Sequence, residues 1–135
     1  MEGSRGVSPD LTTRVDLPFE EAVERAKSAL REQGFGVLTE IQVDRTLKEK
    51  IGVDFRPYII LGACNPNLAH QALQQDIEIG LRLPCNVIVY KEGGESVVAV
   101  MDPFVAMQGA AAADLESLAR QAREKLVDAV RSISG

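Results

Sequence analysis

Apolar residues recur along this chain with two different periods, and the switches between them mark out the elements. Phe19, Ala22, Val23, Ala26 and Leu30 return every three or four residues, which predicts one face of a helix. Pro18 suits its opening turn, Glu20 and Glu21 complement its dipole, and Gly34 supplies a stop. A longer stripe of Leu115, Leu118, Ala119, Ala122, Leu126, Val130 and Ile133 predicts a C-terminal helix with Asp114 as its cap.

Between these helices the period falls to two. Leu11 to Leu17 reads as a first strand, and Gly36 to Val43 as a second with Val37, Thr39, Ile41 and Val43 on one side. A short helix follows over Thr46 to Ile51, with Leu47 and Ile51 as an i,i+4 pair. Pro57 introduces Tyr58-Ile59-Ile60-Leu61, a continuous apolar run that predicts a buried strand. Asn65-Pro66 places a favoured cap before a residue favoured at the first helical position, so a short helix opens there and turns Leu68, Ala69, Ala72 and Leu73 to the core. Ile77, Ile79, Leu81 and Leu83 alternate with Glu78, Gly80 and Arg82, which predicts an extended or strand-like segment up to Pro84. Asn86 to Lys91 and Ser96 to Met101 form a hairpin through Glu92-Gly93-Gly94-Glu95, where glycine permits positive φ, and Asp102-Pro103 ends it. Residues 1–7 and the lead-in from Gly109 through Ala110 to Ala113 read as flexible. The order predicts one α+β domain over 1–135: a mostly antiparallel sheet with two long helices packed on one face, plus short inserted helices.

A chain of 135 residues can bury such a core without metals or disulfides. Aromatic residues make up 4% and Trp is absent, so Val, Ile, Leu and Ala must build it. The net charge of −5 argues against nucleic acid as the main partner, since a phosphate-binding face needs a basic surplus. The local basic run of Arg45, Lys48 and Lys50 reads as a solvated helix face. Met1 to Gly6 lacks the apolar region of a secretory signal, and the longest uncharged stretch, Tyr58 to Gln75, holds too many amides to span a membrane. The expected compartment is the cytoplasm, with reduced cysteines and no cofactor.

The chemistry concentrates in two similar elements that hold both cysteines, Ala63-Cys64-Asn65-Pro66 and Pro84-Cys85-Asn86-Val87. Cys64 ends a predicted strand one residue before a helix cap, where free N–H groups favour a thiolate or an anion. Three functional readings are open. Cys64 and Cys85 form a redox pair, although the two lie 21 residues apart and outside a Cys-x-x-Cys arrangement. Alternatively Cys64, His70 and Cys85 bind a metal, although zinc prefers a fourth ligand and none is evident. Thirdly, a pocket takes a small molecule or anion, with Cys64 and Cys85 packing while Asn65, Asn86 and the helix start donate or accept hydrogen bonds. Against all three stands a plain structural duty: free cysteine packs like a small hydrophobe, Asn65 caps, and Asn86 satisfies backbone groups. The separated carboxylates Glu78 and Asp102 read as surface and turn residues rather than as an acid–base pair.

Tyr58-Ile59-Ile60-Leu61-Gly62-Ala63-Cys64-Asn65-Pro66, Ile79-Gly80-Leu81-Arg82-Leu83-Pro84-Cys85-Asn86-Val87, the Asp102-Pro103 pair and Gly34-Phe35 together resemble the signature of the family catalogued as domain of unknown function 302. The resemblance covers nearly the whole chain. It implies a fold like one half of the TATA-binding protein (strand, helix, four strands, helix) and a small homodimer of unknown biochemical role. Fold does not fix function, so that likeness carries no expectation of DNA binding. The expected role is a homodimeric binding or accessory module without established activity; the rival is a thiol-dependent redox protein or enzyme using Cys64 and Cys85.

Overall fold

A computed structural model describes residues 9–109 and 114–134. The expectations of flexibility for residues 1–7 and 110–113 fall outside the described residues. A short 3-10 turn, Pro9–Leu11, leads into strand β1 (Thr12–Val15), helix α1 (Phe19–Glu32), β2 (Gly36–Gln42), α2 (Val43–Ile51), β3 (Tyr58–Cys64) and α3 (Pro66–Gln75). A second 3-10 segment, Ile77–Arg82, precedes β4 (Cys85–Glu92), β5 (Glu95–Val100), α4 (Pro103–Ala106) and α5 (Asp114–Ser134). The strands form one sheet in the order β1-β5-β4-β3-β2 with every neighbouring pair antiparallel. The α+β architecture with two long helices over one face is the one the periodicities predict.

Strand alternation decides what those helices cover. Ile59, Leu61 and Ala63 on β3, Val87 and Val89 on β4, and Val98 and Val100 on β5 all face α1 and α5 and are almost wholly buried. From the helices come Ala22, Val23, Ala26, Leu30, Leu126, Val130 and Ile133, the stripes read from the sequence. Small residues on α1 let it lie close against α5 and the sheet, and Arg25 ties the two helices by donating to the Ile133 carbonyl at 3.2 Å. Gly34 adopts φ 86°, and this left-handed turn lets the Phe35 N–H reach the Leu30 carbonyl at 2.9 Å and end α1. A smaller core of Ala72, Ile79, Leu115 and Leu118 packs α3 against α5.

Four local readings change. Residues 77–83 are not strand-like: Ile79 is fully buried but Ile77 and Leu81 are 80% and 89% exposed. The segment has no strand to pair with, so it satisfies its backbone locally, with Asp76 capping the Glu78 N–H at 3.0 Å and Ile79 donating to the Asp76 carbonyl. In β2 the pairing slips between Val37 and Thr39, which bulges Leu38 outward. One extra residue reverses the faces, so Val37 meets the helices whereas Thr39 and Ile41 point to the opposite side. Glu40 takes the vacated inner position and pairs with Lys27 of α1 at 2.6 Å. Val43 belongs to α2, which starts directly at the end of β2. After β5, Asp102-Pro103 ends the hairpin as expected and also opens the four-residue α4, whereas Asp114 lies inside α5 rather than capping it.

Candidate functional site

The two Cys-Asn elements meet at one end of the sheet. β3 and β4 are neighbours whose register sets Ala63 opposite Cys85 and Gly62 opposite Asn86. β3 ends at Cys64, and Asn65 then starts α3 with extended backbone, its side-chain oxygen accepting the Leu68 N–H at 3.2 Å. The Asn65 amide also lies over the turn at Gly34, where an added Cβ would stand 3.1 Å from its Nδ2. On the other side, the Leu83–Pro84 peptide is cis and β4 begins at Cys85.

Where these ends converge, α3 and α5 roof a cavity of about 50 Å³. Cys64 and Cys85 both line it, together with Phe35, Leu68, Leu83 and Leu118. Among the described residues Asn65 is the one conventional polar side chain in its wall, and its oxygen is already committed to the cap. Both cysteines are free and half-buried. Burial, then the charges of Cys64 and Asp102, push the Cys85 thiol up to about 11. Burial alone also raises Cys64. Both thiols are therefore neutral at pH 7, the protonation state that packs well and attacks poorly.

Asn86 does not reach this cavity. It is exposed and lines a neighbouring cleft of about 430 Å³ with Leu81, Arg82, Pro84, Met101 and Val105. Cys85 borders both spaces. Arg82 closes one side of the cleft by donating to the carbonyls of Ala106, at 3.1 Å, and Gln108 beyond α4. His70 stands exposed on the outer flank of α3, away from the cysteines' cavity wall. Among the described residues no group of three His, Cys, Asp or Glu is placed to hold a metal ion. Cys64, Asn65 and Cys85 are thus brought together, and Asn86 and His70 are not.

Asp102 is the residue whose role the sequence understates. It is 8% exposed, accepts the Phe104 N–H at 2.9 Å, and accepts from Arg123 Nε of α5 at 3.1 Å. The terminal nitrogens of Arg123 reach both carboxylate oxygens of Asp10, at 3.0 and 2.9 Å. The Asp-Pro pair repeats the cap-then-Pro order of Asn65-Pro66, a signal for α4, but no periodicity singles out Arg123 as its partner. Glu78 stays exposed on the 3-10 segment.

The Cys85 thiol makes a pH prediction. The unfolded chain loses this proton near 8.5 while the fold holds it to about 11, so the native state binds more protons between those values. Stability must fall as pH rises through that window, with a slope approaching 1.4 kcal/mol per pH unit and a total of about 3 kcal/mol. Urea unfolding of the wild type and Cys85→Ala across the window checks it: the variant should lack this part of the alkaline loss. Parallel curves would mean that Cys85 is not held neutral by the fold.

A model of the family described as Domain of unknown function DUF302 matches residues 11–133. No curated protein matches the chain. Among solved structures, the chain is similar to that of an uncharacterized conserved protein DUF302 from Bacillus stearothermophilus, at 31% identity over 90% of this chain and 94% of that one, with a TM-score of 0.82.

Proposed function

The chain belongs to the DUF302 family, a family of unknown function, and from that premise we propose that it is a cytoplasmic homodimeric binding module whose cavity at Cys64 and Cys85 takes the apolar end of a small molecule. The convergence of both Cys-Asn elements on one apolar space carries this reading. Size limits the ligand. Pockets that engulf a whole drug-sized molecule run to about 300–1,000 Å³, and about 50 Å³ admits only a few heavy atoms. A short aliphatic end fits, while the polar remainder of the ligand lies outside. An anion is the poorer match, because the start of α3 already has Asn65 as its acceptor. Thiol chemistry is also the poorer match, because burial works against both thiolates.

Titration with 1-butanol and 1-hexanol, followed by amide chemical shifts, tests the proposal. Saturable shifts should centre on Ala63, Cys64, Cys85 and Leu118. They should vanish in Ala69→Leu, which fills the same space from α3. Shifts that never saturate, or that persist unchanged in Ala69→Leu, would overturn the reading.

A further inference from the structure

The cleft beside Asn86 has no duty in the cavity reading, although the second Cys-Asn element builds most of it. An unbroken run from Leu81 to Asn86 lines it, with Met101 just past β5 and Val105 and Ala106 of α4. Its volume of about 430 Å³ falls within the range of small-molecule sites. At about 30 Å³ for each water-sized group, that is room for about a dozen non-hydrogen atoms. The wall is mostly aliphatic, and Leu81 adds a side chain that is 89% exposed and belongs to neither core. Charge sets the cleft apart. The chain carries −5, yet among the described residues Arg82 is the one charged side chain lining this space. Asp102, in the turn before α4, is buried and engaged by the Phe104 N–H and Arg123.

We propose that this cleft binds a small monocarboxylate, its carboxylate on Arg82 and its apolar body against Leu81, Met101 and Val105. The guanidinium is already held in place: Nη1 donates to the carbonyls of Ala106 and Gln108. Nε and Nη2, which form the other edge of the fork, have no acceptor among the described residues. That edge matches the two oxygens of one carboxylate. Because Nη1 is fixed beforehand, less side-chain freedom is lost when the anion arrives. Asn86, exposed on the same wall, offers an amide for one further hydrogen bond. A single cation selects a single negative charge. A phosphate dianion needs further cations or a run of backbone N–H groups, and the lining supplies no second cation among the described residues. Leu83, Pro84 and Cys85 border both this cleft and the cavity at Cys64, but the inference does not depend on what the cavity takes.

Amide chemical shifts at neutral pH, followed during titration with 3-phenylpropanoate and with its neutral isostere 3-phenylpropanamide, test this. The carboxylate should give saturable shifts centred on Arg82, Asn86, Met101 and Ala106. It should bind at least about tenfold more tightly than the amide, the effect of a charge-assisted pair. A purely structural strap would not distinguish the two probes. Arg82→Gln should erase the preference. Val105→Phe fills the cleft and leaves Arg82 and its carbonyl partners in place, so it should abolish binding and decides the matter where Arg82→Gln fails to fold. Ala69→Leu, which fills the cavity at Cys64, should change nothing. Absence of saturable shifts, equal affinity for the two probes, a preference that survives Arg82→Gln, or binding unchanged in Val105→Phe overturns the inference. Displacement of the probe by an equal concentration of inorganic phosphate overturns the carboxylate assignment. Shifts centred on Ala63 and Leu118 and lost in Ala69→Leu overturn the cleft and support the cavity, so either reading fails without the other.

Discussion

Replacing Arg123 by alanine should cost about 3 kcal/mol of folding stability, a large part of the 5–15 kcal/mol that holds a domain together. The reason is asymmetry within one network. Arg123 bridges two carboxylates that differ in environment: Asp10 is exposed near the start of β1, and Asp102 is buried between β5 and α4. Losing a guanidinium from beside an exposed carboxylate costs little, because water replaces it. Losing it from beside a buried one removes the nearest opposite charge from a carboxylate that water reaches poorly. Asp10→Ala should therefore cost under about 1 kcal/mol, and Asp102→Asn should recover part of the loss when added to Arg123→Ala. Urea unfolding of the three variants checks the ordering; equal costs for Arg123→Ala and Asp10→Ala would show that burial of Asp102 contributes nothing.

Gly62→Ala should be the next most damaging change, at about 2–3 kcal/mol. Gly62 lies on the open side of β3, between Thr39 of β2 and Asn86 of β4. A Cβ there overlaps the Thr39 hydroxyl and stands 2.9 Å from Cγ of Pro84. The two neighbours can yield to different degrees. Thr39 is exposed on an edge strand and can turn its side chain away, whereas the Pro84 ring is fixed by its own backbone between Leu83 and Cys85. Adding Thr39→Ala to Gly62→Ala should therefore restore only part of the stability, and the remaining strain should move Pro84 and with it the cavity wall at Cys85. Thermal unfolding of the single and double variants tests this. A Gly62→Ala protein as stable as the wild type would show that Pro84 moves freely.

The two long helices and the hairpin were legible because each carries a long stripe or a strict alternation that burial then enforces. What failed was shorter or depended on partners. Ile77, Ile79, Leu81 and Leu83 alternate as a strand would, yet a ladder needs a neighbour, and alternation within one segment carries no information about whether an edge is free. The bulge at Leu38 is similar: seven residues of apparent strand conceal a one-residue slip that exchanges inner and outer faces. At the site, the strand-end position of Cys64 and the cap at Asn65 followed from local grammar. The adjacency of Cys85 followed once β3 and β4 were paired. The separation of Asn86 from Asn65 did not, because it depends on which side of the sheet each strand end turns toward. Arg123 had no sequence signal, since a single inward-turned arginine beside an apolar stripe looks like any solvated one.

The position of β1 beside β5 has a consequence in time. Thr12 pairs with Ala99, so among the described residues β1 finds its ladder partner in a strand made some 87 residues later. At about 5–20 residues per second of translation, β1 waits roughly 4–17 s before that partner exists. Through that interval α1 and the β2–β3 pair can form from nearby sequence, while the N-terminal segment has nothing to join. The emergence of β5 sets the moment when the sheet can close, and α5, made later still, then secures the β1 end through Arg123 and Asp10.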